Sequence, residues 1–216
     1  MAVPGDLTQP LPDQPSGQAT GDDDPVTGPD TARSALLELT MRLEDEHRLD
    51  PIVVKAAAIV QPVLGTPSAK ALLGGRWMGH ALHPLMTDIP IGFWTSATVL
   101  DVIGGRRSAA AAQRLIGLGV LSAVPTAATG WSDWLSLDRS LRRVGVVHAA
   151  SNSVALLLFA WSWLARRKGH RFRGIVLGFA AGTVASGAGH LGGHMTVGRG
   201  AGVAATRDAL AAEPRG

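Results

Sequence analysis

Four long stretches of the chain carry almost no charge, and each is bounded by it. Pro84 to Gly104 contains only Asp88 and Asp101. Leu115 to Ser132 is uncharged, with Ala109 to Ala112 extending it backwards, and Val144 to Ala165 and Gly174 to Gly198 contain no Asp, Glu, Lys or Arg. At a rise of ~1.5 Å per residue, ~20 residues cross a hydrocarbon core of ~30 Å. The third and fourth stretches reach that length cleanly, and the first and second reach it with polar residues near their ends. The connections are short (105–108, Asp133 to Arg143, Arg166 to Arg173), and short connections force neighbouring helices to run antiparallel. The expected fold class is all-α: a membrane four-helix up-down-up-down bundle. A soluble bundle would need polar faces that these stretches lack. Trp131 and Trp134 close the second stretch and Trp161 and Trp163 the third, at the levels of an aromatic belt. Pro90 and Pro125 interrupt the first two, where neighbouring helices can satisfy the freed carbonyls.

Ahead of these stretches the texture differs. Residues 1–30 are rich in Pro, Gly, Asp, Gln and Thr. They bury too little apolar surface to offset the entropy of ordering, so they are expected to form a disordered acidic tail. No basic n-region followed by an apolar h-region marks a signal peptide. Asp30 or Thr31 can cap a helix to about His47, with Ala32, Ala35, Leu36, Leu39 and Leu43 along one face. Pro51 to Gly65 is apolar but too short to span and is interrupted by Lys55 and Pro62, which reads as an interfacial segment. The expected organisation is a tail at 1–30, short amphipathic or interfacial helices at 31–75, a transmembrane domain at 76–198 and a flexible tail at 199–216.

Composition sharpens this. Of 216 residues, 46% are hydrophobic and 17% charged, below the ~25% charged of a soluble domain. Residues 1–50 carry eleven acids and three arginines, and the rest of the chain carries 17 basic against 6 acidic residues. An acidic tail on a basic membrane domain follows. The basic residues form no single amphipathic face beside stacking aromatics, so nucleic acid is not expected. There is no cysteine, which excludes thiolate zinc sites and thiolate-ligated iron–sulfur clusters. No serine sits in a strand–turn–helix elbow and no Gly-Lys-Ser/Thr loop occurs, so catalysis by a nucleophile or a phosphate loop is not expected.

The up-down topology gathers histidines at one end. His80 and His83 precede the first span, His148 lies one turn inside the third, and His190 and His194 lie in the last third of the fourth. Asp88 falls at a similar depth. Ionisable groups at membrane depth are costly and mark function. With thiolates absent, imidazole and carboxylate remain. His83, His148, His190 and His194 are the candidate cofactor ligands, for a haem b held between helices. Alternatively His148, His190, His194 and Asp88 hold a transition metal ion. The row Gly174, Gly178, Gly182, Ser186 admits close helix packing. At the opposite end, Asp101 and Arg114 are expected to pair across the short first connection.

The strings Gly-Arg-Trp-Met-Gly-His-Ala-Leu-His-Pro-Leu-Met-Thr-Asp-Ile-Pro-Ile-Gly-Phe-Trp-Thr-Ser-Ala (75–97), Val-Pro-Thr-Ala-Ala-Thr-Gly-Trp-Ser-Asp-Trp (124–134), Arg-Arg-Val-Gly-Val-Val-His-Ala-Ala-Ser-Asn (142–152) and Gly-His-Leu-Gly-Gly-His-Met (189–195) resemble the bacterial membrane family termed domain of unknown function 2231. The resemblance covers roughly residues 75–197. It implies a four-helix membrane domain without an established activity. Relatives fused to Rieske or cytochrome c domains imply redox company, which here would be a separate redox protein partner. Many relatives have His-Phe-Pro-Ile where this chain has Asp88-Ile89-Pro90-Ile91, which puts a ligand role at 88 in doubt. His83, His148, His190 and His194 match directly.

The expectations are then a multi-pass protein of the bacterial cytoplasmic membrane, in contact with the lipid bilayer, carrying a histidine site for electron transfer. The alternative is a non-enzymatic anchor or interaction module with a structural polar cluster, and a third idea is proton or ion conduction through the Asp88 and histidine level. A homo-oligomer is compatible with each. Basic residues divide eight to eight between the two ends, and the unexported N-terminal tail places both termini in the cytoplasm.

Overall fold

A computed structural model describes residues 30–201 of the chain. Apart from Asp30, the acidic tail lies outside the described residues, as do residues 202–216 of the C-terminal tail. The described residues form seven α-helices and no strand: α1 Asp30–Asp45, α2 Asp50–Leu64, α3 Pro67–Leu73, α4 Leu82–Ile103, α5 Ala109–Trp134, α6 Arg139–Arg167 and α7 Arg171–Gly193. A π-helical turn, His194–Gly198, prolongs α7. α1 ends earlier than its apolar spacing suggests. Glu46 leaves helical geometry, and its side chain instead accepts the Arg48 N–H to cap the 3-10 turn His47–Leu49. The long helices run beyond their uncharged stretches, taking flanking Arg and Asp residues into their end turns.

Three helical segments are long and apolar enough to cross a membrane: Ala109–Trp134, Arg139–Arg167 and Arg171–Gly198. Three of the four expected spans are among them, and the first, α4, is not. α4 has the length, at 22 residues, but Asp88, Asp101, His83 and its threonines dilute its apolar character. A further surprise lies upstream. His47–Leu64 and Pro67–Leu73 together are long and apolar enough for a span, yet they bend by 91° at the break. Gly65 and Thr66 form that break, Thr66 capping α3 through the Ala69 N–H.

α4 packs along α5, α5 along α6 and α6 along α7, and α7 meets α4 more sparsely. One core joins all four helices: Ala97 of α4, Ala112 and Ile116 of α5, Phe159 of α6 and Ala181 of α7 are buried together. Trp94 stacks on Phe159 with ring centroids 4.0 Å apart. Alanines at these positions let backbones approach closely enough for dispersion contacts to hold the helices. Pro90 cannot bond the Met86 carbonyl, and the Thr126 hydroxyl of α5 donates to that carbonyl at 3.0 Å instead.

A second core ties α2 to the bundle. Val53 packs with Trp134, Leu135 and Val146. Trp134 is therefore buried rather than set in an aromatic belt, and its indole N–H donates to the Arg142 carbonyl at 3.0 Å. Asp138 caps α6 by accepting the Leu141 N–H at 2.9 Å. In the small-residue row of α7, Gly174 and Gly178 are buried against Ser162 and Arg166 of α6, whereas Gly182 faces open space.

Candidate functional site

His83 stands in the first turn of α4, and its ring lies against Gly130 of α5. A Cβ at that glycine would come 2.7 Å from the His83 Cε1, so a larger residue there would push the ring from its place. His83 Nδ1 lies 3.1 Å from both the Thr126 carbonyl and the Thr129 hydroxyl of α5. A carbonyl only accepts, so Nδ1 carries the hydrogen and Nε2 keeps its lone pair. The Thr129 hydroxyl donates to the same carbonyl at 2.7 Å, which leaves its oxygen free to accept from the ring.

His148, one turn into the apolar part of α6, repeats the arrangement with α7. Its Nδ1 lies 2.8 Å from the Ala188 carbonyl. Its ring packs on Gly192, where a Cβ would approach Cε1 to 3.0 Å. Its Nε2 accepts from the Asn152 amide one turn along, at 3.0 Å. The two imidazoles thus share one tautomer, each fixed by a main-chain carbonyl of a neighbouring helix. Such a carbonyl anchor is the usual outer partner of a ligating histidine, because it sets ring orientation and raises the basicity of the other nitrogen.

His190 and His194 belong to a different arrangement, which sequence reasoning missed. α1 lies on α6 and brings Glu44 to the end of α7. His194 Nε2 donates to the Glu44 carboxylate at 2.6 Å, and Arg199 binds the other Glu44 oxygen at 2.7 Å. Both the His194 and Glu44 side chains are about nine-tenths buried, at 9% and 11% exposure. His190 is exposed, with Nε2 3.5 Å from the Thr40 hydroxyl of α1. The buried Arg143 of α6 anchors the α1–α2 junction. It binds Asp50 through two bonds of 2.7 and 3.1 Å and donates to the Glu44 carbonyl at 2.7 Å. Its guanidinium holds the Asp50 carboxyl below the ordinary value of 3.8. The Leu141 N–H does the same for Asp138. The charges of Glu44 and Arg143 were visible in the sequence, but no spacing rule connects Glu44 to Arg143, 99 positions on, or to His194, 150 positions on.

Asp88 is exposed on α4 and does not join the histidines. The expected metal set of His148, His190, His194 and Asp88 is accordingly not assembled. Among the described residues, no three His, Cys, Asp or Glu side chains are grouped to hold a metal ion. The reason is rotational: equal depth along four helices says nothing about the face each residue occupies.

At the opposite end Asp101 pairs with Arg166, not with Arg114. Arg166 Nη2 and Nη1 lie 2.6 and 2.9 Å from the two Asp101 oxygens, and both side chains are almost fully buried. Arg114 sits on an outward face of α5.

No curated protein and no solved structure matches the chain. The sequence profile of the family described as predicted membrane protein (DUF2231) matches residues 79–205, the stretch from just before α4 to beyond Arg199, which carries His83, His148, His190 and His194. This chain belongs to the DUF2231 family of membrane proteins, whose function is unknown.

Proposed function

We propose that this protein is a four-span electron carrier of the bacterial cytoplasmic membrane, in which His83 and His148 hold a b-type haem. α4 is taken as the fourth span, running antiparallel to α5, with both described ends of the chain on the cytoplasmic face. The observation that carries the reading is the matched anchoring of the two rings. Each Nδ1–H is fixed by a main-chain carbonyl, each ring rests on a helical glycine, and each Nε2 is left as the basic nitrogen. The donor set fits a group that takes one imidazole from each of two helices. The single-ion alternative does not fit, since His194 is committed to Glu44 and Asp88 stands apart. Bound haem would supply one-electron chemistry. The chain's own residues orient the ligands through Thr126, Thr129 and Ala188, and Asn152, which donates to the His148 Nε2, would have to turn away for that nitrogen to ligate.

Protein purified in mild detergent from haem-sufficient cells shows a Soret band under this reading. His83→Ala and His148→Ala abolish it, and His190→Ala keeps it. A wild-type preparation without the band, or a band indifferent to both alanine variants, overturns the proposal. A single cysteine placed within 202–216 and labelled from outside intact cells tests the orientation, where labelling refutes cytoplasmic ends.

A second reading, a membrane anchor for a partner protein, is favoured by a separate observation. α1 is docked by Glu44 to His194 and Arg199, presenting Leu36, Leu37, Leu39 and Met41 outward. On that reading, deleting residues 1–50 abolishes function, while His83→Ala leaves it intact.

A further inference from the structure

The end of the bundle opposite the histidines combines two loops that are remote in sequence. The α4–α5 connection carries Arg106 and Arg107, and the end of α6, the α6–α7 connection and the first turn of α7 carry Arg167, Lys168, Arg171 and Arg173. The structure joins them. Arg171 donates to the Gly105 carbonyl at 3.0 Å and lies 3.7 Å from Asp101, which in turn holds Arg166. Asp101 is the only acidic residue in 99–116 and 160–178, and it is buried beneath this surface with Arg166. Five of the six cations are exposed, and Arg171 is half-buried between the loops.

Three details give this patch a shape as well as a charge. The Arg171 Nε is buried and meets no hydrogen-bond acceptor among the described residues. Phe172, between Arg171 and Arg173, is 79% exposed, and Val102 and Ile103 at the end of α4 are 67% and 78% exposed. Arg167 lies over the Trp163 ring, 4.9 Å from its centroid, which holds a guanidinium beside an amphipathic aromatic at the level of a headgroup. Cations that offer several donors to a phosphate, bordered by apolar side chains that contact acyl chains, match the two halves of a phospholipid.

We infer that the α4–α5 and α6–α7 loops together form a binding surface for an anionic phospholipid, its phosphate held by the arginines and Lys168 and its acyl chains lying against Phe172, Val102 and Ile103. Neutral phospholipid also carries a phosphate, but its choline cation cancels the charge that six clustered cations attract. The inference rests on the membrane-spanning reading above and is independent of the haem.

The test uses the full chain in lipid nanodiscs, with a variant carrying Arg106→Gln, Arg107→Gln, Lys168→Gln and Arg173→Gln. None of these four side chains makes a hydrogen bond or ion pair among the described residues. Wild-type protein in phosphatidylglycerol is expected to unfold at a higher temperature than in phosphatidylcholine, and to retain phosphatidylglycerol on transfer to detergent as seen by native mass spectrometry. Each cation near an anionic surface contributes about fivefold in affinity, so the variant is expected to lose at least about tenfold of the retained lipid. Its stability in phosphatidylcholine stays that of the wild type. Equal stabilisation of detergent-solubilised protein by inorganic phosphate, equal retention of both lipids, or undiminished retention by the variant overturns the inference. Carbonate extraction of membranes separates the two readings: release of the wild type defeats both, whereas retention without lipid preference defeats this one alone.

Discussion

Replacing Asp101 with Asn leaves the shape of the basic end almost unchanged but removes the negative charge facing Arg166. The two side chains are 4% and 3% exposed, so neither can turn to water without opening the α4–α6 contact. A unit charge pair with centres ~4 Å apart is worth about 4 kcal/mol at an effective dielectric constant of about 20. Removing one partner of a buried pair costs about 3–5 kcal/mol, because the remaining charge stays desolvated. For a chain of this size, 1 kcal/mol shifts Tm by about 2–4 °C, so Asp101→Asn lowers Tm by roughly 6–20 °C. The assay is thermal unfolding in detergent followed by tryptophan fluorescence. The double variant Asp101→Asn, Arg166→Met supplies the control, since replacing both partners with groups of similar volume is close to neutral. Arg171, a third exposed, can turn outward when Asp101 loses its charge. Asp101→Asn unfolding within ~2 °C of wild type, or a double variant worse than the single one, refutes the assignment.

Other consequences follow from the same contacts. Gly130→Ala places a methyl 2.7 Å from His83 Cε1; overpacking of this kind costs about 1–3 kcal/mol and should lower Tm. Gly182→Ala, in open space, is neutral or slightly stabilising in the same melt. Glu44→Gln weakens two charge-assisted contacts, and a loss of about 1.5 kcal/mol appears as roughly tenfold faster proteolysis at the turn His47–Leu49; unchanged cleavage would show that α1 is held by apolar contact alone. Asp50 and Asp138 both sit below their ordinary value of 3.8. Their stabilisation is therefore complete above that value and disappears as pH falls through the lower folded-state values. Wild-type Tm should be flat from about pH 7 to 5 on this account and drop below about pH 4, with a smaller drop in Asp138→Ala.

The helices were legible because lipid-compatible stretches must exclude charge, and the gaps between Arg and Asp clusters marked them directly. Their exact ends were less so: helices run into polar flanks wherever caps allow, as Asp138 does for α6. Depth was legible too. His83 and His148 do face the C-terminal parts of α5 and α7, as up-down counting requires. Facing was not. A helix turns 100° per residue, so Asp88 and His148 can share a depth and still point apart. Partners remote in sequence were also hidden. Loop proximity suggested Arg114 for Asp101, but the buried face of α6 presents Arg166. The largest omission was Glu44, whose place on a charged helix gave no sign that it would reach His194. Gly130 and Gly192 carried a signal that could have been used, since a glycine inside an apolar helix can admit a close neighbour, although Gly182 shows that it need not.

The bond from Glu44 to Arg199 joins positions 155 apart and ties the C-terminal end of α1 to the residue after the π-helical turn. The gap between those ends is bridged by side chains alone. The same adjacency means that a domain attached after the π-helical turn would emerge beside the α1–α2 junction, with Glu44 the first side chain to transmit its movement.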